Sequence, residues 1–180
     1  MKKIVTLACV LVTACALAQT AKKAENKPGK QKATAVAQLK NQKGEDVGEV
    51  RLEQAPKGLI ARLKVKNIPA GEHAFHIHEV GKCEAPFTSA GGHYNPLKHQ
   101  HGIENVKGKH AGDLPNLHVP ESGELELTFF IDTVTLTGGK APLFDKDGSA
   151  FVIHAGPDDY ASDPAGNAGD RIACGVVEKS

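Results

Sequence analysis

The sequence has no apolar segment long enough to cross a membrane as a helix. Its longest apolar run, residues 4–14, is shorter than the roughly 20 residues that a transmembrane helix needs. Lys2 and Lys3 precede this run, and Ala16-Leu17-Ala18 follows it. Basic residues, a short apolar run and small residues in this order are typical of a secretory signal. We therefore predict a signal peptide at residues 1–18 and an exported protein.

A second processing site overlaps the first. Val12-Thr13-Ala14-Cys15 is similar to a bacterial lipobox, in which the cysteine becomes a lipidated N-terminus. This alternative predicts anchoring of the protein to a membrane through Cys15. Both alternatives predict a location in the periplasm or cell envelope.

Positive charge is concentrated before residue 33. Residues 19–32 contain five lysines and one glutamate and have no aromatic residue, a composition that predicts a flexible tether. The whole chain has a formal charge of +1, of which the leader contributes +2 and the tether +4. Residues 33–180 therefore carry −5, which argues against a nucleic-acid partner.

Cysteine is also scarce in the predicted domain. Cys9 and Cys15 belong to the leader, so only Cys83 and Cys174 are left in residues 33–180. In an exported protein such a pair most often forms one disulfide, and two free thiols are the alternative.

Helical periodicity is absent, and alternating apolar and polar residues predict strands instead. The clearest alternation covers residues 33–40, 59–66 and 124–131. Shorter strands are predicted at 47–53, 73–79, 114–119, 149–154 and 172–177. We predict one all-β domain over residues 33–180, an eight-stranded antiparallel Greek-key barrel or sandwich. Residues 80–113 and 155–170 are loops long enough to be functional.

Histidine is missing from residues 1–72, and all nine histidines lie between His73 and His154. His76 and His78 are one residue apart on a predicted strand, so their side chains share a face. Phe75 and Ile77 then point to the other face, which suits a packed core. The histidine pair could bind one transition metal.

Further metal-ligand types follow in the loops. His93, His101, His110 and Asp113 lie in the first long loop, and His154 ends the strand 149–154. Three histidines with one aspartate suit structural zinc, whereas an all-histidine site suits copper. Loop placement alone leaves His99 and His101 as alternatives. We interpret His73 as a structural histidine and His118 as an exposed one.

Four segments together resemble a known family, the bacterial exported form of copper/zinc superoxide dismutase. They are Phe75-His76-Ile77-His78-Glu79, Gly92-His93-Tyr94-Asn95-Pro96, His110-Ala111-Gly112-Asp113-Leu114, and residues 166–175 with the sequence GNAGDRIACG. Their order and spacing match the family over nearly all of residues 33–180. The resemblance implies an enzyme that converts superoxide to oxygen and hydrogen peroxide with one copper and one zinc per subunit.

The resemblance also implies a role for each site residue. Copper ligands would be His76, His78, His93 and His154, and zinc ligands would be His93, His101, His110 and Asp113, with His93 bridging the two metals. Asp158 would accept hydrogen bonds from His76 and His101. Arg171 would guide the substrate anion, His93 would take part in proton transfer, and Cys83 and Cys174 would form the family disulfide.

Two other functions are alternatives to dismutation. A non-catalytic copper- or zinc-binding protein of the same fold usually lacks a copper ligand or the arginine, and this chain has all of them. A zinc hydrolase would need an open zinc position.

The second long loop contains no lysine, so steering of the substrate by lysine rests on Lys98 alone. The segment between Cys83 and His93 is short. Because this region takes part in dimerisation in bacterial members of the family, the resemblance gives a homodimer as an expectation only.

Overall fold

The computed structural model describes residues 34–180, which fold into β-strands joined by loops. The predicted signal peptide 1–18, the alternative lipidation site Cys15 and the tether 19–32 lie outside the described residues. The strands are β1 (Thr34–Asn41), β2 (Asp46–Ala55), β3 (Gly58–Val65), β4 (Gly71–His73), β5 (Phe75–His78), β6 (Leu117–Val119), β7 (Leu125–Ile131), β8 (Ala150–His154) and β9 (Arg171–Lys179). A single 3-10 turn covers Thr88–Ala90.

Seven strands form one antiparallel sheet in the order β5-β8-β9-β1-β2-β3-β7, and β4 pairs with β6 in a separate two-stranded sheet. Strand β7 pairs with β3, and β9 returns to pair with β1, so the connections cross as in a Greek key. This confirms the predicted all-β antiparallel fold. Residues 34–180 form nine strands because the predicted strand 73–79 is interrupted at Ala74, whose N–H donates to the carbonyl of Gly156 at 2.8 Å.

The core lies on one face of the large sheet and follows the alternation in the sequence. In β3, Leu59, Ala61 and Leu63 are buried, whereas Arg62 and Lys64 are exposed. Burial of such apolar side chains is the main stabilising contribution to a fold of this kind. Within residues 34–180 no helix is long and apolar enough to span a membrane.

Strand β5 lies at one end of the sheet, and the first long loop covers its free edge. The N–H of Ile77 donates to the carbonyl of Gly112 at 2.9 Å, and the carbonyl of Ile77 accepts from the N–H of Tyr94 at 2.8 Å. The N–H of Glu79 donates to Gly92 at 3.0 Å. A side chain at Gly112 would place its Cβ 2.2 Å from the carbonyl oxygen of Ile77, so this close approach requires glycine.

Candidate metal centre

The two histidines of β5 project from the face opposite the core. Phe75 and Ile77 are buried in the core, where the Phe75 ring stacks on Phe151 with centroids 5.3 Å apart. His76 and His78 are fully buried as well, beneath the long loops. The alternation predicted from the sequence is therefore present, and both faces of β5 are covered.

Four histidines gather beside β5. Strand β5 supplies His76 and His78, the first long loop supplies His93, and His154 ends β8. One ring nitrogen from each lies within 4.8 Å of the corresponding nitrogens of the other three, and all four side chains are buried. Strand pairing explains part of this arrangement, because His78 bridges to His93 and β5 pairs with β8.

Each of three imidazoles in this group uses one nitrogen to donate a hydrogen bond away from the cluster. His76 Nε2 donates to Asp158 Oδ2 at 2.7 Å, His78 Nδ1 donates to the carbonyl of Gly91 at 3.0 Å, and His154 Nδ1 donates to Gly169 at 3.1 Å. Each tautomer is thereby defined, and the second nitrogen carries the lone pair that a metal needs.

The remaining nitrogens have no hydrogen-bond partner within residues 34–180. They are His76 Nδ1, His78 Nε2, His93 Nε2 and His154 Nε2. Buried polar atoms are rarely left without a partner, because the loss of water costs free energy. Four such atoms at one place match the donor set of a bound metal ion.

A second group contains His93, His101, His110 and Asp113, again with ligand atoms within 4.8 Å of one another. Asp113 Oδ1 lies 2.9 Å from His93 Nδ1, 3.1 Å from His101 Nδ1 and 3.4 Å from His110 Nδ1. The Nδ1 atoms of His101 and His110 have no well-aligned hydrogen-bond partner in spite of this proximity. Three imidazoles and one carboxylate are the ligands of a closed tetrahedral zinc site.

His93 is the residue that the two groups share. Its Nδ1 faces Asp113, and its Nε2 belongs to the four-histidine group. The ring centroid of His93 lies 3.9 Å from that of His76 and 5.1 Å from that of His101. One imidazole therefore presents a ligand atom to each of two adjacent metal sites.

Asp158 connects the two groups on the other side. Its Oδ2 accepts from His76 Nε2, and its Oδ1 accepts from His101 Nε2 at 3.0 Å. Oδ1 also accepts from the N–H of Tyr160 at 2.7 Å. Asn116 holds the main chain of Asp158 through two reciprocal bonds, donating to its carbonyl and accepting from its N–H, both at 2.9 Å.

Burial governs the electrostatics of the four-histidine group. It lowers the pKa of His154 to about 3 and that of His93 to about 4, although the hydrogen bond with Asp113 acts in the opposite direction on His93. Burial also holds the pKa of His78 well below its usual value. Because desolvation disfavours imidazolium, these rings are neutral near pH 7, which is the form that binds metals.

The carboxylates impose the opposite effect on His101. Burial alone would lower its pKa, but the adjacent carboxylates of Asp113 and Asp158 outweigh burial and raise it to about 9. Burial would raise the pKa of Asp113, but the adjacent imidazoles of His101, His110 and His93 hold that pKa well below the usual range. The aspartate is therefore an anion, as a metal ligand must be.

Arg171 lies directly across the ladder from His154, at the start of β9. Its guanidinium donates to the carbonyls of Phe87 and Gly91, both at 2.7 Å. Cys83 and Cys174 form a disulfide with a sulfur–sulfur distance of 1.99 Å, which ties the segment containing those carbonyls to β9. The arginine is half-buried, keeps its positive charge, and is fixed at the edge of the four-histidine group.

The structure leaves three histidines outside both groups. His73 is buried, and its ring nitrogens lie 2.8 Å from the carbonyls of His154 and Pro69. His99 is exposed, and its Nδ1 donates to the carbonyl of Lys109 at 3.0 Å. His118 is exposed beside Glu72. Within the first loop, the structure thus brings His101 into the metal centre and leaves His99 out.

Three residues that matter to the site were not identified from the sequence. They are Asn116, which holds Asp158; Gly91, whose carbonyl accepts from His78 and Arg171; and Gly166. A Cβ on Gly166 would lie 1.9 Å from Asp158 Oδ1 and 2.7 Å from His101 Nε2. The glycines are visible in the sequence as turn residues, and Gly166 also begins the fourth family segment, but no local pattern shows what any of the three contacts at the site.

Comparisons with known proteins agree with this geometry. The family model described as copper/zinc superoxide dismutase matches residues 47–177. Superoxide dismutase [Cu-Zn] 1 of Aquifex aeolicus is 52% identical over 145 residues, which cover 79% of this chain and 86% of the relative. Superoxide dismutase [Cu-Zn] of Caulobacter vibrioides is 40% identical over 149 residues, which cover 81% of this chain and 86% of the relative.

A solved structure has the same fold. The crystal structure of a double mutant of a SOD-like protein from Bacillus subtilis has a TM-score of 0.76 with this chain at 42% sequence identity. The match covers 78% of this chain and 95% of the other.

Proposed function

The chain belongs to the copper/zinc superoxide dismutase family and converts superoxide to oxygen and hydrogen peroxide, and on this basis we propose how its residues divide the work. The four-histidine group of His76, His78, His93 and His154 binds copper. The group of His93, His101, His110 and Asp113 binds zinc. Unpartnered buried nitrogens in both groups, and the single carboxylate in the second, carry this assignment.

When bound, copper supplies the one-electron chemistry that oxidises one superoxide and reduces the next. The protein's part is to hold the ligands and to deliver a proton. His93 can hold a proton at Nε2 while its Nδ1 remains turned towards Asp113. We place the proton used in peroxide formation at that atom. Asp158 orients His76 and His101 by accepting their Nε2 hydrogens.

Arg171 guides the substrate. Superoxide is a small anion, and the domain is acidic, so the half-buried guanidinium provides the local positive potential beside His154. Two carbonyl acceptors fix its position and leave its charge uncompensated by any carboxylate among the described residues. Lys98 stands as a further proposal for long-range steering, and equal rates at low and high salt would contradict it.

The test is superoxide removal by the metal-loaded mature protein. His154→Ala, which removes one copper ligand, should reduce activity to near background, whereas His118→Ala, the same change at an exposed histidine, should leave it unchanged. Near-zero activity in the fully copper-loaded wild type would contradict dismutation. Unchanged activity in Arg171→Ala would contradict only the guiding role.

We also propose that the protein is exported by the signal peptide 1–18, is spaced from its anchor or membrane by residues 19–32, and protects the cell envelope from superoxide. Bacterial and extracellular relatives support export. Mass spectrometry of the mature N-terminus distinguishes cleavage after Ala18 from lipidation at Cys15. Cys15→Ala should release the protein from membranes only if the cysteine carries the lipid.

A homodimer is the assembly that we propose for the mature protein. Sedimentation equilibrium measures the mass of the mature protein in solution and so tests the dimer directly. A single species with the mass of one chain over the micromolar range would contradict the dimer without affecting the catalytic assignment.

A further inference from the structure

A basic cleft lies on the outer side of the loop that carries the zinc ligands. It has a volume of about 550 Å³ and separates residues 97–111 from residues 132–141. Ala111, Val134 and Ala141 form a buried apolar floor. Three lysines, Lys57, Lys109 and Lys140, line the walls together with exposed His99. The copper-group histidines and Arg171 do not line this cleft.

The charge of the cleft opposes that of the domain. Asp132 is its only acidic residue, against three lysines, although residues 33–180 carry a net −5. Three lysines elsewhere in the domain form ion pairs: Lys40 pairs with Asp46, Lys64 with Glu126, and Lys82 with Glu84. Lys57 and Lys140 form no ion pair within residues 34–180. Their ammonium groups are therefore free to bind an anion.

The third lysine is held in place from within the protein. Lys109 Nζ donates to the main-chain carbonyl of Asp113 at 3.1 Å, and the carbonyl of Lys109 accepts from His99 Nδ1. A carbonyl does not neutralise the ammonium charge, so Lys109 adds a fixed positive charge and further donors. The cleft therefore combines two exposed cations and one fixed cation with an apolar floor.

We propose that this cleft binds a phosphate group. A tetrahedral dianion can accept hydrogen bonds from several ammonium groups at once, and the rest of the acidic surface repels it. The volume is larger than phosphate alone requires, and the apolar floor leaves room for the organic part of a phosphate ester. Two sources supply such a group in an envelope: soluble phosphates and the headgroups of anionic lipids.

A phosphate bound in the cleft would contact the loop next to two of the proposed zinc ligands. His99 comes two residues before His101, and Lys109 comes immediately before His110. The proposal itself does not depend on catalysis, because the lining residues are separate from the copper group and from Arg171.

The experiment compares two double variants of the metal-loaded full mature chain. Lys57→Gln with Lys140→Gln removes the two unpaired cations of the cleft. Lys43→Gln with Lys146→Gln is the matched control, because it removes the same charge from two exposed lysines that do not line the cleft. Calorimetric titration with inorganic phosphate is the first probe. Flotation with vesicles of 30% phosphatidylglycerol in phosphatidylcholine is the second.

We expect the cleft variant to bind inorganic phosphate about tenfold more weakly than the wild type, and the control to bind it unchanged. If the cleft variant also loses vesicle binding relative to the control, the headgroup is a source; if vesicle binding is equal, the source is soluble. Equal affinity of both variants for both probes would overturn the proposal. Phosphate binding at Arg171 is common to both variants and cancels in the comparison.

Discussion

His78 and Arg171 donate to the same acceptor, the carbonyl oxygen of Gly91, at 3.0 and 2.7 Å. One main-chain atom thus sets both the ring orientation of a proposed copper ligand and the position of the cation proposed to guide the substrate. Gly91 has a φ of 74° and a ψ of −155°, a conformation that only glycine adopts readily. The position of this carbonyl depends on the absence of a side chain.

Gly91→Ala should therefore impair the site by changing the backbone conformation that positions the Gly91 carbonyl. Its Cβ would lie 2.9 Å from Glu79 Cγ and 3.1 Å from Val80 Cγ2, so the carbonyl must shift. We expect about a tenfold loss of kcat/KM, an altered Cu(II) EPR spectrum, and destabilisation by about 1–3 kcal/mol. Gly44→Ala is the matched control, since Gly44 has a φ of +81° in a distant turn with open space around it. That variant should lose stability with activity and EPR unchanged; an identical response of both variants would contradict the role of Gly91.

Asp158→Asn should loosen both metal sites at once. The amide can accept from only one of His76 and His101 and presents an N–H to the other, so one imidazole loses its orientation. We expect copper and zinc affinities to fall by about 10- to 100-fold, measured by chelator competition. Asp159→Asn is the neighbouring control, because its carboxyl is exposed and bonds only within its own loop. Loss of one metal alone in Asp158→Asn would refute the bridging role.

Asn116→Ala should act through Asp158 without touching a metal ligand. It removes both side-chain bonds that hold the main chain of Asp158. We expect zinc release to a chelator to accelerate about tenfold, with a smaller effect on copper, and the combination with Asp158→Asn to be far from additive. Asn41→Ala, which removes comparable asparagine bonds in the β1–β2 turn, should not change release. Additive effects of the two substitutions would show that Asn116 does not work through Asp158.

Removal of the disulfide should affect stability and the guiding residue together. Cys83 and Cys174 are 91 residues apart, and the chain-entropy description gives about 4–5 kcal/mol for a loop of that length. Replacing both cysteines by serine should lower Tm by more than about 10 °C, measured by calorimetry. It should also lower kcat/KM and weaken its salt dependence, because the carbonyls of Phe87 and Gly91 that position Arg171 are no longer tied to β9. A Tm equal to that of the wild type would contradict the first expectation, and a reductant should leave the variant unchanged.

Asp159 should remain ionised to unusually low pH. The Ser162 hydroxyl, followed by the N–H groups of Ser162 and Ala161, lowers the pKa of Asp159 from 3.8 to about 2. Because the folded pKa is lower than the unfolded one, the stabilising effect is complete above pH 4 and is lost as pH falls from about 4 to about 2. Carbon-detected NMR should show no titration of this carboxyl above pH 3. Ser162→Ala should raise the midpoint, and an unchanged midpoint would assign the effect to the main chain alone.

The strands and the members of the two candidate metal groups could be predicted because strand periods and family motifs leave local patterns in the sequence. Alternation identified β1, β3 and β7, and the spacing of His76 and His78 placed two ligands on one face. The family motifs selected His101 over His99, which neither strand period nor loop position could do.

Long-range polar contacts could not be predicted in the same way. Asn116 and Asp158 are 42 residues apart, and their reciprocal bonds depend on how two loops pack, not on either local sequence. The acceptor for His78 and Arg171 is a carbonyl, and a carbonyl is present at every residue. Only the backbone path around Gly91 determines which one is used. The basic cleft likewise unites Lys57, Lys109 and Lys140 from three separate segments.

The loop that carries His93 and Asp113 also satisfies the edge of the sheet, through the bonds of Ile77 to Tyr94 and Gly112. An uncovered strand edge is a template for pairing with another chain. The candidate metal groups and protection against aggregation are therefore coupled: any event that detaches this loop from β5 opens both groups and exposes the unpaired main-chain edge of β5 at the same moment.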